Sequence, residues 1–207
     1  LRRAALGVVR MVMQYDVSLP ALVQDAYDSF PAGTLAANTV AEVVDFVYAR
    51  LAVLLQGDYA QDVVAAVLSH RPEHLNDVVA RLDAVSAFKA MPEAASLAAA
   101  NKRVHNLLKK AESELGAVQP ELLQEEAEKA LYAATEGLQA GIATAMQQQD
   151  FQAALGQLST LRAPVDAFFD GVMVMADDAA LKQNRLNLLK QLNLQLNAVA
   201  DIALLND

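Results

Sequence analysis

Residues 164–192, PVDAFFDGVMVMADDAALKQNRLNLLKQL, constrain the fold more than any other part of the chain. A dense apolar run, Phe168, Phe169, Val172, Met173, Val174 and Met175, meets a break at Asp177 and Asp178, and a leucine-striped segment follows. An Asp at the break suits a helix start, because its side chain accepts hydrogen bonds from the free N–H groups of the first turn and its charge complements that helix end. Beyond it Leu181, Leu188, Leu189, Leu192, Leu196 and Val199 recur at helical spacing, which predicts a helix laid with one face over a core. The aromatic and Met run is what that face would cover. Arg185 projects into the same face, where a guanidinium is costly unless paired, so an acceptor such as Asp166, Asp170 or Asp177 is expected.

The same 3.6-residue period runs through the rest of the chain and predicts an all-α, antiparallel helical bundle with short connections. An amphipathic helix is expected over residues 2–14. A second is capped by Ser18 with Pro20 in its first turn, and the Pro31, Ala32, Gly33 run is the best candidate for a linker. A third starts at Thr39, which has capping-box spacing to Glu42, and ends near Gly57. Further helices are expected over about 61–69, stopped by Pro72, over about 75–88, and from Pro92 onward. Pro120 is expected to open a long helix that runs to Gln149, with Glu121, Glu125, Glu126 and Glu128 favouring its N-terminus and Gly137 and Gly141 at a spacing that permits close helix contact. A helix over 151–161 precedes the segment that begins at Pro164.

Composition narrows the function classes. The chain is 55% hydrophobic and 20% charged, ample for a buried core and far from disorder. No apolar run approaches a bilayer span, and Arg10 interrupts LRRAALGVVRMVM as a signal-peptide core, so a soluble, non-membrane chain is expected. With no cysteine, thiolate and disulfide chemistry are absent, as in a reducing cytoplasm. The chain starts at Leu1 in mid-pattern, as a piece of a longer protein would.

A net charge of −9 argues against nucleic acid at the level of totals, but charge is segregated along the chain. From Lys89 to Lys110 the five basic residues Lys89, Lys102, Arg103, Lys109 and Lys110 face one acid, Glu93. On a helical wheel Lys102, Arg103, Asn106, Lys109 and Lys110 share an arc of about 120°, opposite Val104, Leu107, Leu108 and Ala111. A solvated helix usually mixes signs to gain pairs one turn apart, and this face does not, so it is a candidate phosphate track. His105 stands on its margin and could stack on a base or ribose. Catalytic and metal sites are not expected: Pro72 breaks the helix that would align His70 with His74, no glycine-rich phosphate loop occurs, no nucleophile stands with a base, and Asp177 with Asp178 is read as a cap.

The stretch FFDGVMVMADDAALKQNRLNLL resembles the C-terminal signature of the bacterial glycyl-tRNA synthetase beta subunit, and more loosely the end of the helical anticodon-binding domain of arginyl-tRNA synthetase. LRRAALGVVR, DFVYARLAVLL, QDVVAAVLSHRP and ARLDAVSAFKAMPEAASLAAANKRVHNLLKK resemble earlier blocks of the same beta subunit, in order. The resemblance implies the end of a preceding domain over residues 1–37 and a helical anticodon-binding domain over 38–207. It implies tRNA and the synthetase's alpha subunit as partners and a cytoplasmic location. The alpha subunit would carry the active site that uses ATP and glycine, so neither catalytic residues nor a cofactor are expected here. Lys102, Arg103, Asn106, Lys109 and Lys110 become the leading tRNA contacts, with Arg50, Arg81 and Lys89 as secondary candidates. The competing expectation is a helical subunit-docking scaffold with little RNA affinity of its own.

Overall fold

The computed structural model describes residues 1–111 and 114–205. These form α1 (Arg2–Val12), α2 (Leu19–Asp28), α3 (Thr39–Leu55), α4 (Gln61–Leu68), α5 (Val78–Lys89), α6 (Ala94–Leu108), α7 (Glu126–Gln147), α8 (Phe151–Leu158), α9 (Arg162–Gly171) and α10 (Ala179–Leu196). Short 3-10 turns occur at Pro120–Leu122, Ser159–Leu161 and Ile202–Leu204. No strand forms among the described residues, where sheet-type pairing is limited to an isolated bridge between Ser18 and His74. The all-α class read from the periodicity is the class observed.

The chain divides into two compact units, Leu1–Asp83 and a second that begins at Ala84, and the division between them falls within α5. The Pro31, Ala32, Gly33 run lies inside the first unit. The physical reason is packing: α1 and α2, before that run, pack on α3, after it, and their buried Val9, Val12 and Leu19 share a unit with Val47, Leu51 and Leu55. Gly33 there takes φ 81°, a turn conformation that side-chain-bearing residues resist. Ser18 caps α2 by accepting from the Ala21 N–H at 3.3 Å. At α3 the expected box between Thr39 and Glu42 does not form. Asn38 stands at the cap, and its side-chain amide donates to Glu42 Oε1 at 2.6 Å.

In the second unit α7 begins at Glu126, not at Pro120, because Pro120 opens only a 3-10 turn. Its start is a capping box: the Gln124 and Glu125 N–H groups donate to Glu128 Oε2 at 2.9 and 2.8 Å. At the other end Gln149 adopts φ 55°, a left-handed residue that reverses the chain into α8. Gly137 meets nothing within 4 Å of where a Cβ would stand, so no close helix approach explains it.

Helix α10 is the centre of this unit, not a lid over it. Leu188, Leu189, Leu192 and Leu196 are fully buried as the period predicts, yet Asn184, Arg185, Leu186, Asn187 and Gln195 are buried too. Its start is the expected one, with Asp178 Oδ1 accepting from the Ala180 and Leu181 N–H groups at 2.8 and 2.9 Å. The polar side of α10 is covered by backbone from residues 114–119. Asn184 accepts from the Gln119 N–H at 2.7 Å and donates to the Gln119 carbonyl at 3.0 Å. Asn187 accepts from the Gly116 N–H at 3.0 Å and donates to the Ala117 carbonyl at 2.9 Å, while Lys190 donates to the Leu115 carbonyl at 2.6 Å. Each asparagine thus satisfies the backbone as a neighbouring strand would, which is how buried amides are tolerated.

Two expectations for the 164–192 stretch are corrected. Arg185 pairs with none of Asp166, Asp170 or Asp177: its Nε donates to Glu128 Oε1 at 2.5 Å and its Nη1 to the Met173 carbonyl at 2.9 Å. Nor is the aromatic and Met run buried throughout. The chain leaves α9 into extended backbone at Val172, and side chains then alternate, with Val172 and Val174 buried while Met173 is 75% exposed.

Candidate nucleic-acid interface

Ala94, Leu97, Ala98, Asn101 and Val104 are the buried residues of α6 and follow the three-and-four spacing of one inward face. Lys102, Arg103 and Asn106 consequently point outward and are exposed. Leu108 is the last helical residue. Lys109 continues with helical φ and ψ of −63° and −19°, and Lys109 and Lys110 are exposed beside the negative end of the helix. The structure therefore displays all five residues of the sequence-derived basic arc.

Three features fix the orientation of α6. Asn101, fully buried, donates to Asn197 Oδ1 at 2.8 Å and accepts from Asn193 Nδ2 at 3.0 Å, locking the inner face to the end of α10. His105 is half-buried with Nε2 3.5 Å from Asn197 Nδ2, so it belongs to this lock and not to the outer face. Nearer the start, Ser96 Oγ donates to Asp166 Oδ1 of α9 at 3.1 Å. On the outer edge Arg103 lies over the Phe169 ring, with its Cζ 4.2 Å from the centroid, and Phe169 meets buried Phe168 edge-to-face at 5.5 Å and 77°.

Electrostatically, none of Lys102, Arg103, Lys109 and Lys110 has an ion pair or hydrogen bond from its side chain among the described residues. Their charge is directed at solvent. The secondary candidates differ. Arg81 is committed to Asp77, its Nε and Nη2 donating to Oδ2 at 3.0 and 2.8 Å, and Arg50 is half-buried with its Cζ 5.1 Å from the Phe46 centroid. Both belong to the first unit. Lys89 is half-buried at the end of α5 and already engaged. Of His70 and His74, the second faces Asp16, with Nδ1 2.6 Å from Oδ1. No group of three His, Asp or Glu side chains placed to hold a metal occurs among the described residues. Among those residues, too, no helix is long and apolar enough to cross a membrane.

Sequence reasoning missed two participants. Phe169 reads as core within its apolar run, and only the α9 backbone turns it toward Arg103. Asn101 is a polar residue at an inward helix position, the pattern that signals a buried partner.

Comparison with known proteins identifies the family. A family model described as DALR anticodon binding domain matches residues 97–202, which include the whole basic arc. A second, described as glycyl-tRNA synthetase beta subunit, matches residues 1–69. The glycine–tRNA ligase beta subunit of Neisseria gonorrhoeae is 62% identical over 207 residues, 100% of this chain and 30% of that protein. That of Ralstonia nicotianae is 47% identical over 206 residues, 98% of this chain and 30% of that protein. A shorter Neisseria gonorrhoeae sequence of the same name is 64% identical over 126 residues, 61% of this chain and 100% of its own length. The chain thus spans about 30% of the length of the first two.

Proposed function

The chain belongs to the glycyl-tRNA synthetase beta-subunit family and carries a DALR anticodon-binding domain, and we propose that the outer face of α6 is where that domain meets the anticodon arm of glycine tRNA. The observation that carries the reading is four cations and an amide exposed on one face with no acidic partner among the described residues, inside the matched region. Such a face attracts a phosphate backbone through counterion release and fixes its register, while unpaired loop bases are read by stacking and edge hydrogen bonds. In this reading the whole cytoplasmic synthetase attaches glycine to its tRNA using ATP. This segment supplies RNA recognition, and catalysis and ATP binding belong to other parts of the assembly, including an alpha subunit.

The test is binding of the 207-residue chain to glycine tRNA and to an anticodon-swapped control across a salt series, beside a Lys102→Ala/Lys109→Ala/Lys110→Ala variant. The wild type should prefer the cognate anticodon. The variant should lose affinity, and its log–log salt slope should fall by about 2, at roughly 0.7 per phosphate contact of single-stranded RNA. Equal slopes for variant and wild type would remove the assignment.

A second reading, docking within the synthetase, draws on a different observation. The first unit holds an apolar cavity of about 390 Å³ lined by Val8, Leu22, Phe30, Val43 and Phe46 among others, with Phe30 52% and Leu22 44% exposed. Large exposed apolar surface of this kind marks protein contacts. If the chain shows no RNA preference but joins the remaining subunits, docking is its role.

A further inference from the structure

We propose that Arg103 and Phe169 form a stacking ledge for one unpaired base of the RNA loop, distinct in role from the lysines around it. The proposal rests on the RNA-binding reading above and adds to it a base-contacting subsite.

Arg103 differs from the other cations of the arc in one respect: its position is set. Lys102, Lys109 and Lys110 are exposed ammonium groups on flexible stems with no partner among the described residues. The Arg103 guanidinium instead sits over Phe169, its Cζ 4.2 Å from the ring centroid. That ring is itself held against fully buried Phe168, edge-to-face at 5.5 Å. A stack anchored in the core therefore ends at the surface in a planar cation. The first turns of the same helix are pinned by Ser96 to Asp166 and by Asn101 to α10, so the ledge does not swing with a loose element.

The chemistry that fits such a ledge is a flat, electron-rich, unpaired ring. A guanidinium already packed on one side by an aromatic still offers a plane, and guanidinium planes stack on nucleobases. It makes no ion pair or side-chain hydrogen bond among the described residues, so no internal contact must break for a base to bind. The flanking cations are placed to hold the backbone on either side of a splayed base, a division of labour in which phosphate contacts position and the ledge engages the base. A lysine at the same place would supply the charge and not the plane.

That difference gives the experiment. Anticodon-arm hairpins of glycine tRNA carrying 2-aminopurine at successive loop positions are titrated with the full 207-residue chain and with Arg103→Lys, across the salt series used above. With the wild type, fluorescence at one loop position should be quenched on binding. Arg103→Lys should bind about five- to tenfold more weakly with an unchanged salt slope, and that quenching should be lost, as expected for losing one stacked base at constant charge. Because Arg103 is exposed, the variant should match the wild type in circular dichroism and melting. If Arg103→Lys binds within twofold of wild type and keeps the quenching, or if no loop position is quenched in a wild-type complex that does form, the ledge is wrong while the basic-face reading stands. If the wild type binds no hairpin at all, both fall together.

Discussion

Replacing Arg185 by Met tests whether the buried ion pair, rather than the leucine stripe alone, holds the second unit together. Arg185 is 6% exposed and Glu128 1%. The substitution leaves a buried carboxylate whose Oε2 keeps the Gln124 and Glu125 N–H groups, while Oε1 loses its 2.5 Å donor and the Met173 carbonyl loses its own. Breaking a buried pair from one side costs about 3–5 kcal/mol, and the two backbone donors that remain hold the expected loss near 3 kcal/mol. For a chain of this size that is about 10 °C in melting temperature. The pH dependence separates this cause from simple loss of packing. Burial pushes the Glu128 carboxyl up, but the hydrogen bond from Arg185 and those from the Glu125 and Gln124 N–H groups outweigh it, and the group is held below its ordinary 4.5. A lowered folded-state value contributes stability above the unfolded value and loses it as pH falls through the folded one. Without Arg185 the carboxyl moves up and protonates sooner, so the gap between wild type and variant should be widest near neutrality and narrow on acidification below about 4.5. Urea denaturation followed by circular dichroism at pH 7 and in acid measures both. Adding Glu128→Gln should recover about 1–2 kcal/mol relative to additivity. A loss under about 1 kcal/mol at pH 7, or one that is the same in acid, refutes the reasoning.

Four further outcomes follow from single sites. Gly137→Ala, in the middle of α7 with nothing within 4 Å of the added methyl, should stabilise by about 0.5–1 kcal/mol in urea denaturation. At Gly141 the same change sets a Cβ against Gln157 Oε1, the free end of a flexible side chain, so that gain should appear only in part until Gln157 is also shortened to Ala. The Tyr59 hydroxyl donates to Asp83 at 2.7 Å, which pushes its ionisation up to about 12, so an ultraviolet titration should show a late tyrosine that Asp83→Ala returns toward 10. Because the shift is upward, this bond supports the fold below the ordinary tyrosine value and is lost as pH rises through about 12. Asn101→Ala should cost about 2 kcal/mol, since it leaves the half-buried amides of Asn193 and Asn197 short of a partner, yet leave the RNA salt slope unchanged because it removes no cation.

What could be read from the sequence was what periodicity and end chemistry encode. The leucine stripe of α10, the Asp178 and Ser18 caps and the outward arc of α6 all depend on spacing within one helix, and all are found. What could not be read depends on pairing across the chain. Glu128 lies 57 residues from Arg185, whereas Asp166, Asp170 and Asp177 stand far nearer in the chain. The asparagines of α10 look like a polar, solvent-facing pattern until residues 114–119 are seen to lie across them. The compact units follow a related logic, since the Pro31, Ala32, Gly33 run lies inside the first of them. Pro and Gly mark a break in local structure, but whether the flanking helices share a core is decided by which apolar faces meet.

The arrangement of α6 also explains how four like charges share a face without unwinding it. Helix neighbours interact at three and four residues, and no two of Lys102, Arg103, Lys109 and Lys110 stand at either spacing. Asn106 fills the place four after Lys102 and three after Arg103, where another cation would repel both. The two pairs are therefore separated by two turns, about 10 Å along the axis, which is beyond the roughly 8 Å screening length at physiological ionic strength. Repulsion within the free protein is small, while a polyanion bridging both pairs gains from each. The cations can stay unpaired in the free state because the inner face, through Asn101 and the amides of α10, supplies the stability that salt bridges on the outer face would otherwise give.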